Sequence, residues 1–445
     1  MSHGDFNMKD AVLIVGAGLL QVPMIMEAKK LGLYAIATDG NPEAPGTRIA
    51  DDFYRCDTYD AERHVELVPV LMKHYNIKGV TTCGADVAPT VARAAETAGT
   101  PGIPSGVALR THRKDMVRSC LTVKDLSIPN WMNICFHCDY PTPEEAIRRC
   151  LEQWKDGVVI KPQNQCASRG VTIIKEASQI RGALEKIEPY VIEDTGIFLA
   201  EECLMGSEHS VEMIIDEQTG IIFFNIVDRL FSYTDGVPME LGHVNPSRMS
   251  AHDWTSCMVL AQQAAKALGV YWGPWKCDMI YTQDGPKILE CTARLSGGFD
   301  SQYTTPLATG RNPIRAVLQM ACGMPIEKKF INRKIKRHAA CAAAFPNPGR
   351  VRNPLPEFAY TRKGVPMLLI FNRKNPPIFT EHVLPDIEQI FITVKDGDII
   401  TPYTHCAQRP GFAIAVHDDY DMAWCRAKMA ADLLAHELTQ SLENH

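Results

Sequence analysis

The alternation that opens the chain restricts its fold more than any other feature. Ala11–Val15 is a short apolar run, Leu19–Leu31 has helical periodicity stopped by Gly32, and Leu33–Thr38 is a second apolar run closing on Asp39. The theme returns with Gly79–Thr82 as a strand and Val87–Thr97 as a helix ended by Gly99. Parallel strands cannot be joined by a tight turn, so this order predicts a parallel sheet with helices on both faces. A doubly wound βαβ unit is expected over residues 9–112. The chain has 445 residues, and at roughly 150 per domain others must follow.

From Lys114 the pattern turns to hairpins. Gly157–Lys161 and Val171–Lys175 read as strands joined by a polar loop. Ile197–Glu202, Glu208–Asp216 and Ile221–Asp228 follow as strands, the last two linked by a turn at Glu217–Gly220. Ser250 and Asp253 form a capping-box signal for a helix with Met258, Ala261, Ala265 and Leu268 on one face, stopped by Gly269. Strands broken by single helices indicate an α+β domain, expected over residues 113–330. Phe345–Glu357 contains four prolines and reads as a connector. Pro366–Phe371, Ile390–Val394, Asp398–Ile400 and Phe412–Val416 read as strands, and Asp421 to about Leu442 as a final helix. A small C-terminal α+β domain is expected over residues 331–445.

Charge and targeting narrow the function classes. The 46 basic and 52 acidic residues leave a net charge of −6, spread along the chain, which argues against nucleic acid or an anionic membrane as partner. The most apolar early run, Ala11–Met26, holds Gly16, Gly18, Gln21 and Pro23. It falls short of the about 20 apolar residues a bilayer span needs. No signal-peptide pattern is present. The 15 cysteines are scattered, several within apolar segments (Cys83, Cys203, Cys277, Cys291), and fit buried reduced thiols of the cytoplasm. Cys135 and Cys138 form one CxxC with no second pair at zinc-site spacing, so it reads as incidental.

The stretch richest in chemistry is Trp275–Arg294. Asp284-Gly285 between two apolar runs is a hairpin signal. A three-residue loop with Gly285 left-handed pairs Asp278 with Glu290. Period two then puts Lys276, Asp278, Glu290, Thr292 and Arg294 on one face, with Trp275, Cys277, Met279, Leu289, Cys291 and Ala293 on the other. Facing carboxylates repel unless a cation intervenes. A hard divalent cation with oxygen ligands suits the pair, as does a solvated face of ion pairs to basic neighbours. Spacing alone leaves both open.

Here the sequence resembles the ATP-grasp superfamily of ADP-forming carboxylate ligases. Asp278 and Leu289-Glu290-Cys291-Thr292-Ala293-Arg294 match the family's metal hairpin, although Thr292 stands where many members carry a metal-binding Asn. Gly157-Val158-Val159-Ile160-Lys161-Pro162 is similar to the strand whose lysine meets the α- and β-phosphates. Ala167-Ser168-Arg169-Gly170-Val171, within a loop near 163–171, resembles the cover over the phosphates. Glu201-Glu202-Cys203-Leu204 followed by Glu208 resembles the adenine hinge and ribose carboxylate, and Lys114 the lysine that opens the grasp domain. In isolation each has a plainer reading: a polar loop, a strand–turn–strand, a surface lysine. Their shared order covers roughly residues 10–330, and the tail, with Lys395-Asp396-Gly397-Asp398 and Arg409-Pro410-Gly411-Phe412, resembles that of L-amino-acid ligases.

The resemblance implies ATP-grasp architecture, ATP with Mg²⁺ (or Mn²⁺) as cofactors, and a carboxylic acid and an amine as substrates, one of them an amino acid. It implies metal ligation by Asp278 and Glu290, with Arg294 and Lys276 catalytic. Nucleotide contacts fall to Lys114, Lys161, Ser168, Gly170, Glu201, Glu202, Leu204 and Glu208. His243, Ser296, Gly297 and Gly298 fall by the substrates, with a turn histidine satisfied by backbone as the plainer reading of His243. A homodimer is the commonest soluble assembly. One competing reading is a ligase or carboxylase of the purine or carbamoyl-phosphate type, although the Arg- and Gln-rich stretch of carboxylases and the Pro-Arg-x-His-Asn-Ser signature of one purine branch are missing. Another is an NAD(P)-dependent oxidoreductase, from Gly16-Ala17-Gly18 and Asp39. The third glycine position of that fingerprint is Gln21, and Pro23 enters the helix start. A nucleotide-binding regulatory protein without turnover is a third. No P-loop is present.

Overall fold

The structure is a computed structural model describing residues 8–192, 195–234, 236–331, 335–351, 386–395 and 397–443. The expected strand at Pro366–Phe371 and the end of the connector at Phe345–Glu357 lie outside these residues. Among the described residues no helix is long and apolar enough to cross a membrane.

The opening segment folds as its periodicity dictates. Strands β1 (Lys9–Val15), β2 (Tyr34–Asp39), β3 (Asp52–Arg55) and β4 (Tyr75–Thr81) form a parallel sheet in the order β3-β2-β1-β4. Helix α1 (Val22–Lys30) starts later than the apolar pattern does, because Leu19–Gln21 form a turn and Pro23 suits only a first helical turn. On the other sheet face lie α2 (Ala61–Leu71) and α3 (Ala88–Ala98), packing Val68, Leu71, Ala94 and Ala95 against Leu13, Val15 and Ile36.

Helices α4 (Ser105–His112) and α5 (Lys114–Val123) lead into an antiparallel sheet of β5 (Trp131–Cys135), β6 (Val158–Pro162), β7 (Thr172–Ile174) and β8 (Ile197–Glu202), ordered β5-β8-β6-β7. Helices α6 (Pro143–Gln153) and α7 (Ile180–Ile187) close its apolar side.

The largest layer is an eight-stranded antiparallel sheet ordered β13-β12-β9-β10-β11-β14-β18-β16. Its strands are β9 (Ser207–Asp216), β10 (Gly220–Thr234), β11 (Val237–Asn245), β12 (Gly273–Thr282), β13 (Gly285–Thr292), β14 (His338–Ala344), β16 (Ile387–Ile392) and β18 (Gly411–His417). A two-stranded ribbon pairs β15 (Gly349–Arg350) with β17 (Ile399–Ile400). Helix α8 (Ala251–Leu268) is capped by the Ser250 hydroxyl, which accepts from the Asp253 amide at 3.2 Å. The expected box is only half formed, since the Asp253 carboxylate accepts from that hydroxyl at 2.8 Å and not from the Ser250 amide. It buries Ala261, Ala265 and Leu268 against Val211, Met213, Trp275 and Cys277. Helix α9 (Thr305–Thr309) precedes α10 (Pro313–Ala321), which covers the first sheet beside α1, and α11 (Tyr420–Glu443) backs β14 and β18. All 15 cysteines are free, with Cys83, Cys277 and Cys291 buried and Cys203 only half-buried.

Candidate active site

Register brings the polar residues together. With Val211, Met213, Trp275 and Cys277 turned to α8, the alternate residues of β9, β10, β11, β12 and β13 form the opposite face. Across it, Asp278 pairs with Ser210 and Glu290, Lys276 with Glu212 and Thr292, and Arg229 with Glu208 and His243.

The pairing of Asp278 with Glu290 is present, but its cause differs from the expected loop. Thr282 pairs with Gly285, which leaves a two-residue turn, and a bulge between Asp278 and Met279 skips Leu289. Bulges re-aim side chains next to sites. Ile288, not Leu289, therefore packs in the core with Met279, while the Leu289 carbonyl accepts from Arg118 Nη2 at 2.7 Å.

Both carboxylates have cationic partners, as the ion-pair reading expects, but only Glu290 keeps access to solvent while Asp278 is buried. Asp278 is 7% exposed, with Lys276 Nζ at 2.6 Å and Arg229 Nη1 at 3.1 Å from Oδ2. Burial opposes its charge, but Arg229 and Lys276 prevail and hold the carboxyl well below its usual range. Its Oδ1 is shut from solvent without a hydrogen-bond partner. Glu290 Oε1 meets Lys114 Nζ at 3.0 Å. Among the described residues no three His, Cys, Asp or Glu side chains gather around one point. Two carboxylates are what Mg²⁺ takes from a protein when phosphates and water complete its shell, and the unpartnered Oδ1 fits that use. Asp86, His112, Lys114, Arg118, Glu290 and Thr292 line a narrow recess beside Glu290.

Lys161 and Glu201 face each other from β6 and β8. Lys161 Nζ lies 2.6 Å from Glu201 Oε2, and Arg118 Nε lies 2.8 Å from Oε1. Burial pushes the Lys161 ammonium down, while Arg118 and Lys161 together overcome burial and keep Glu201 ionised. The Glu201 side chain is thus consumed inside the fold. Glu202 is held by Lys287 at 3.1 Å and Asn130 at 2.7 Å. Leu204 lies in the irregular link from β8 to β9, where the Gly206 backbone passes against the Tyr281 carbonyl with no room for a Cβ. Glu208 accepts from the Tyr233 hydroxyl at 3.2 Å, and burial raises its carboxyl. Ala167 and Ser168 are left-handed at φ +56° and +61°, as is Gly170 at +68°. The Lys114 ammonium also donates to the Gln165 carbonyl in that loop.

Arg294 reaches Asp86 Oδ1, Nε at 3.5 Å, and the same oxygen accepts from the Thr292 hydroxyl at 3.2 Å. His243 is 3% exposed, and its Nε2 is 2.7 Å from Asp300 Oδ1 and 3.2 Å from Thr304 Oγ1. The partners of His243 are side chains of a π-helical turn over Asp300–Thr304, not backbone. The Ser296 amide donates to Glu212 Oε1 at 2.6 Å, Gly297 runs beside the Gly84 carbonyl, and Gly298 has φ +66°. The glycine-rich turn of the oxidoreductase reading is closed from within: the Gln21 amide packs on Gly16 and Gly18 and donates to the Cys83 carbonyl. Both Asp39 oxygens are likewise taken, by the amides of Ala17 at 2.8 Å and Asn41 at 2.9 Å.

Asp86, Arg118, Glu212, Arg229 and Glu240 belong to this site and were not read from the sequence. Two had a signal. Arg118 stands four residues after Lys114 on one helix face, and Asp86 follows the carboxyl end of β4, where open α/β sheets place ligand-binding residues. The other three are set by cross-strand register alone.

The ATP-grasp domain family matches residues 155–302. The chain is 27% identical over 181 residues to a D-alanine–D-alanine ligase of Aromatoleum aromaticum, covering 38% of this chain and 56% of that protein. It is 24% identical over 279 residues to a formate-dependent phosphoribosylglycinamide formyltransferase of Haloquadratum walsbyi, covering 62% and 66%. The chain thus spans between about half and two thirds of these curated relatives. An L-amino acid ligase from Bacillus licheniformis shares the fold with a TM-score of 0.70 at 20% identity, over 98% of both chains. A phosphoribosylglycinamide synthetase from Anaerococcus prevotii does so at 0.67 and 18%, over 95% and 97%. Residues 155–302 thus match an ATP-grasp domain, and the chain as a whole shares the fold of ligases that are similar to it.

Proposed function

We propose that this chain is an ADP-forming ligase that activates a carboxylate with Mg·ATP and joins it to an amine, one partner being an amino acid. The observation that carries the reading is the carboxylate pair of buried Asp278 and partly exposed Glu290, with an unpartnered oxygen at Asp278 and three basic side chains, Lys114, Lys276 and Arg229, against it. Asp278 and Glu290 would hold Mg²⁺, which would neutralise charge on the transferring phosphoryl group. In this reading Lys114 and Lys161 meet the phosphates, the loop with Ser168 and Gly170 covers them, the Glu201–Leu204 backbone meets adenine, and Glu208 holds the ribose hydroxyls.

The carboxylate oxygen of the acid attacks the γ-phosphorus, the bond to the β-phosphate oxygen breaks, and ADP leaves. The amine then attacks the acyl carbon and phosphate departs, giving the amide. Arg294 offsets charge on the acyl oxygen as it develops. Loop closure excludes water, which otherwise hydrolyses the acyl phosphate. The full-length fold likeness to an L-amino acid ligase supports an amino acid substrate. The relatives of the phosphoribosylglycinamide type support a purine-type substrate as the second reading.

The test is ADP release from Mg·ATP over acids and amines offered singly and in pairs, with formate and phosphoribosylglycinamide included. Release that requires one acid–amine pair is expected, and Glu290→Ala should abolish it with the melting temperature unchanged. Release from the purine pair alone would favour the second reading, and full activity of Glu290→Ala would overturn the metal assignment.

A further inference from the structure

The C-terminal segment places one arginine behind the metal-facing carboxylate. Arg409 Nη1 donates to the Glu240 carbonyl at 3.0 Å and lies 3.7 Å from Glu240 Oε2. Glu240 Oε1 in turn meets Arg229 Nε at 3.1 Å, and Arg229 Nη1 meets Asp278 Oδ2 at 3.1 Å. The four side chains form an alternating row, two cations and two anions, leading from the tail to the hairpin. The same tail turn touches the loop that resembles the phosphate cover: the Cys406 amide donates to the Ala167 carbonyl at 2.9 Å, and Cys406 Sγ lies 3.6 Å from Ser168 Oγ.

We propose that Arg409 is a positioning residue, holding Arg229 through Glu240 and thereby fixing the Asp278 carboxylate toward its metal. The proposal rests on the nucleotide-site reading above. Its physical basis is competition. Arg229 has one fixed fork of donors and two carboxylates to serve. While Arg409 neutralises Glu240 from behind, Arg229 divides itself between Glu240 and Asp278. Without Arg409 the buried Glu240 keeps a single cationic partner and draws Arg229 toward itself, because a desolvated anion gains more from a bidentate fork than from one contact. Asp278 is then left to Lys276 alone and turns with it. Arg409 is well placed for a fixed role: its Nε donates to the Cys406 carbonyl at 2.7 Å and its guanidinium lies over the Phe412 ring at 5.0 Å.

The experiment measures Mn²⁺ binding by electron paramagnetic resonance in the presence of ADP, on the full chain, for wild type, Arg409→Met and Arg409→Lys. Arg409→Met should weaken Mn²⁺ binding about tenfold and lower kcat of the ligase reaction about 10²-fold, as misplacement by an ångström does. Arg409→Lys keeps the charge and loses the fork, so an intermediate loss is expected. Wild-type Mn²⁺ affinity in Arg409→Met overturns the proposal. Should that variant fail to fold, Arg409→Lys decides, and wild-type affinity there overturns it equally. Wild-type protein that binds no Mn²⁺ with ADP overturns the nucleotide-site reading itself.

Discussion

Glu212 and Asp278 are carboxylates on adjacent strands of one sheet face, and their surroundings drive them apart. Lys276 lies directly across from Glu212, yet its ammonium goes to Asp278. Glu212 is left with burial and the nearby Asp300, which together raise its carboxyl, while hydrogen bonds from the Ser301 hydroxyl and Ser296 amide offset only part. Its Oε2 has no hydrogen-bond partner. A raised folded value means that the folded chain binds more protons than the unfolded one between the ordinary glutamate range and that value. Stability from this group is present at low pH and is lost as pH rises through that window. Glu212→Gln keeps the two accepted hydrogen bonds and removes the charge, so the variant should be more stable at pH 7, by about 1 kcal/mol. Urea unfolding of both proteins across pH checks this. The advantage of the variant should grow as pH rises above the glutamate range, and a pH-independent difference would count against the assignment.

At the scale of elements, the hairpin that pairs Asp278 with Glu290 depends on a turn that only glycine occupies without strain. Gly285 has φ +102° with open space where a side chain would lie. Gly285→Ala therefore tests backbone strain without a clash, and should cost about 1 kcal/mol in urea unfolding. An unchanged midpoint would show that the turn adapts. The hairpin was legible because its chemistry is local: an Asp-Gly turn and two alternating runs bring Asp278 opposite Glu290, even though a bulge at Leu289 and not a longer loop sets the register. Strand β14 was not legible. His338-Ala339-Ala340-Cys341-Ala342-Ala343-Ala344 has the composition of a helix, alanine being the strongest helix former and poor in strands. It is a strand because β11 and β18 flank it and the small side chains let Ala423, Ala427, Ala430 and Ala431 of α11 pack closely. Arg229 and Glu240 were missed for the same reason, since distant partners and not neighbours give them their place.

The whole molecule is more interdependent than the three units read along the sequence. Helix α10 packs Ile314, Val317 and Leu318 on the first sheet beside Met24 and Ile25, so residues late in the chain complete a core begun at its start. Gly79 of β4 admits the Ala321 backbone so closely that a Cβ there would collide with it. The tail contributes three strands to the large sheet, and Tyr420 of α11 donates to Asp228 Oδ2 at 2.7 Å. Removing residues 332–445 would leave the backbone groups of β11 unpaired along one edge and uncover Val244, which is buried in the full chain. Because β11 also carries Glu240 and His243, the loss should reach the site and not remain in the tail. A chain ending at residue 331 is therefore expected to associate on size-exclusion chromatography, and to unfold without the cooperative transition expected of the full chain in calorimetry. A monomeric fragment that melts cooperatively and binds Mn²⁺ with ADP like the full chain would mean that the shared sheet does not couple tail to site. In that case Arg409 could not act on Asp278 through it.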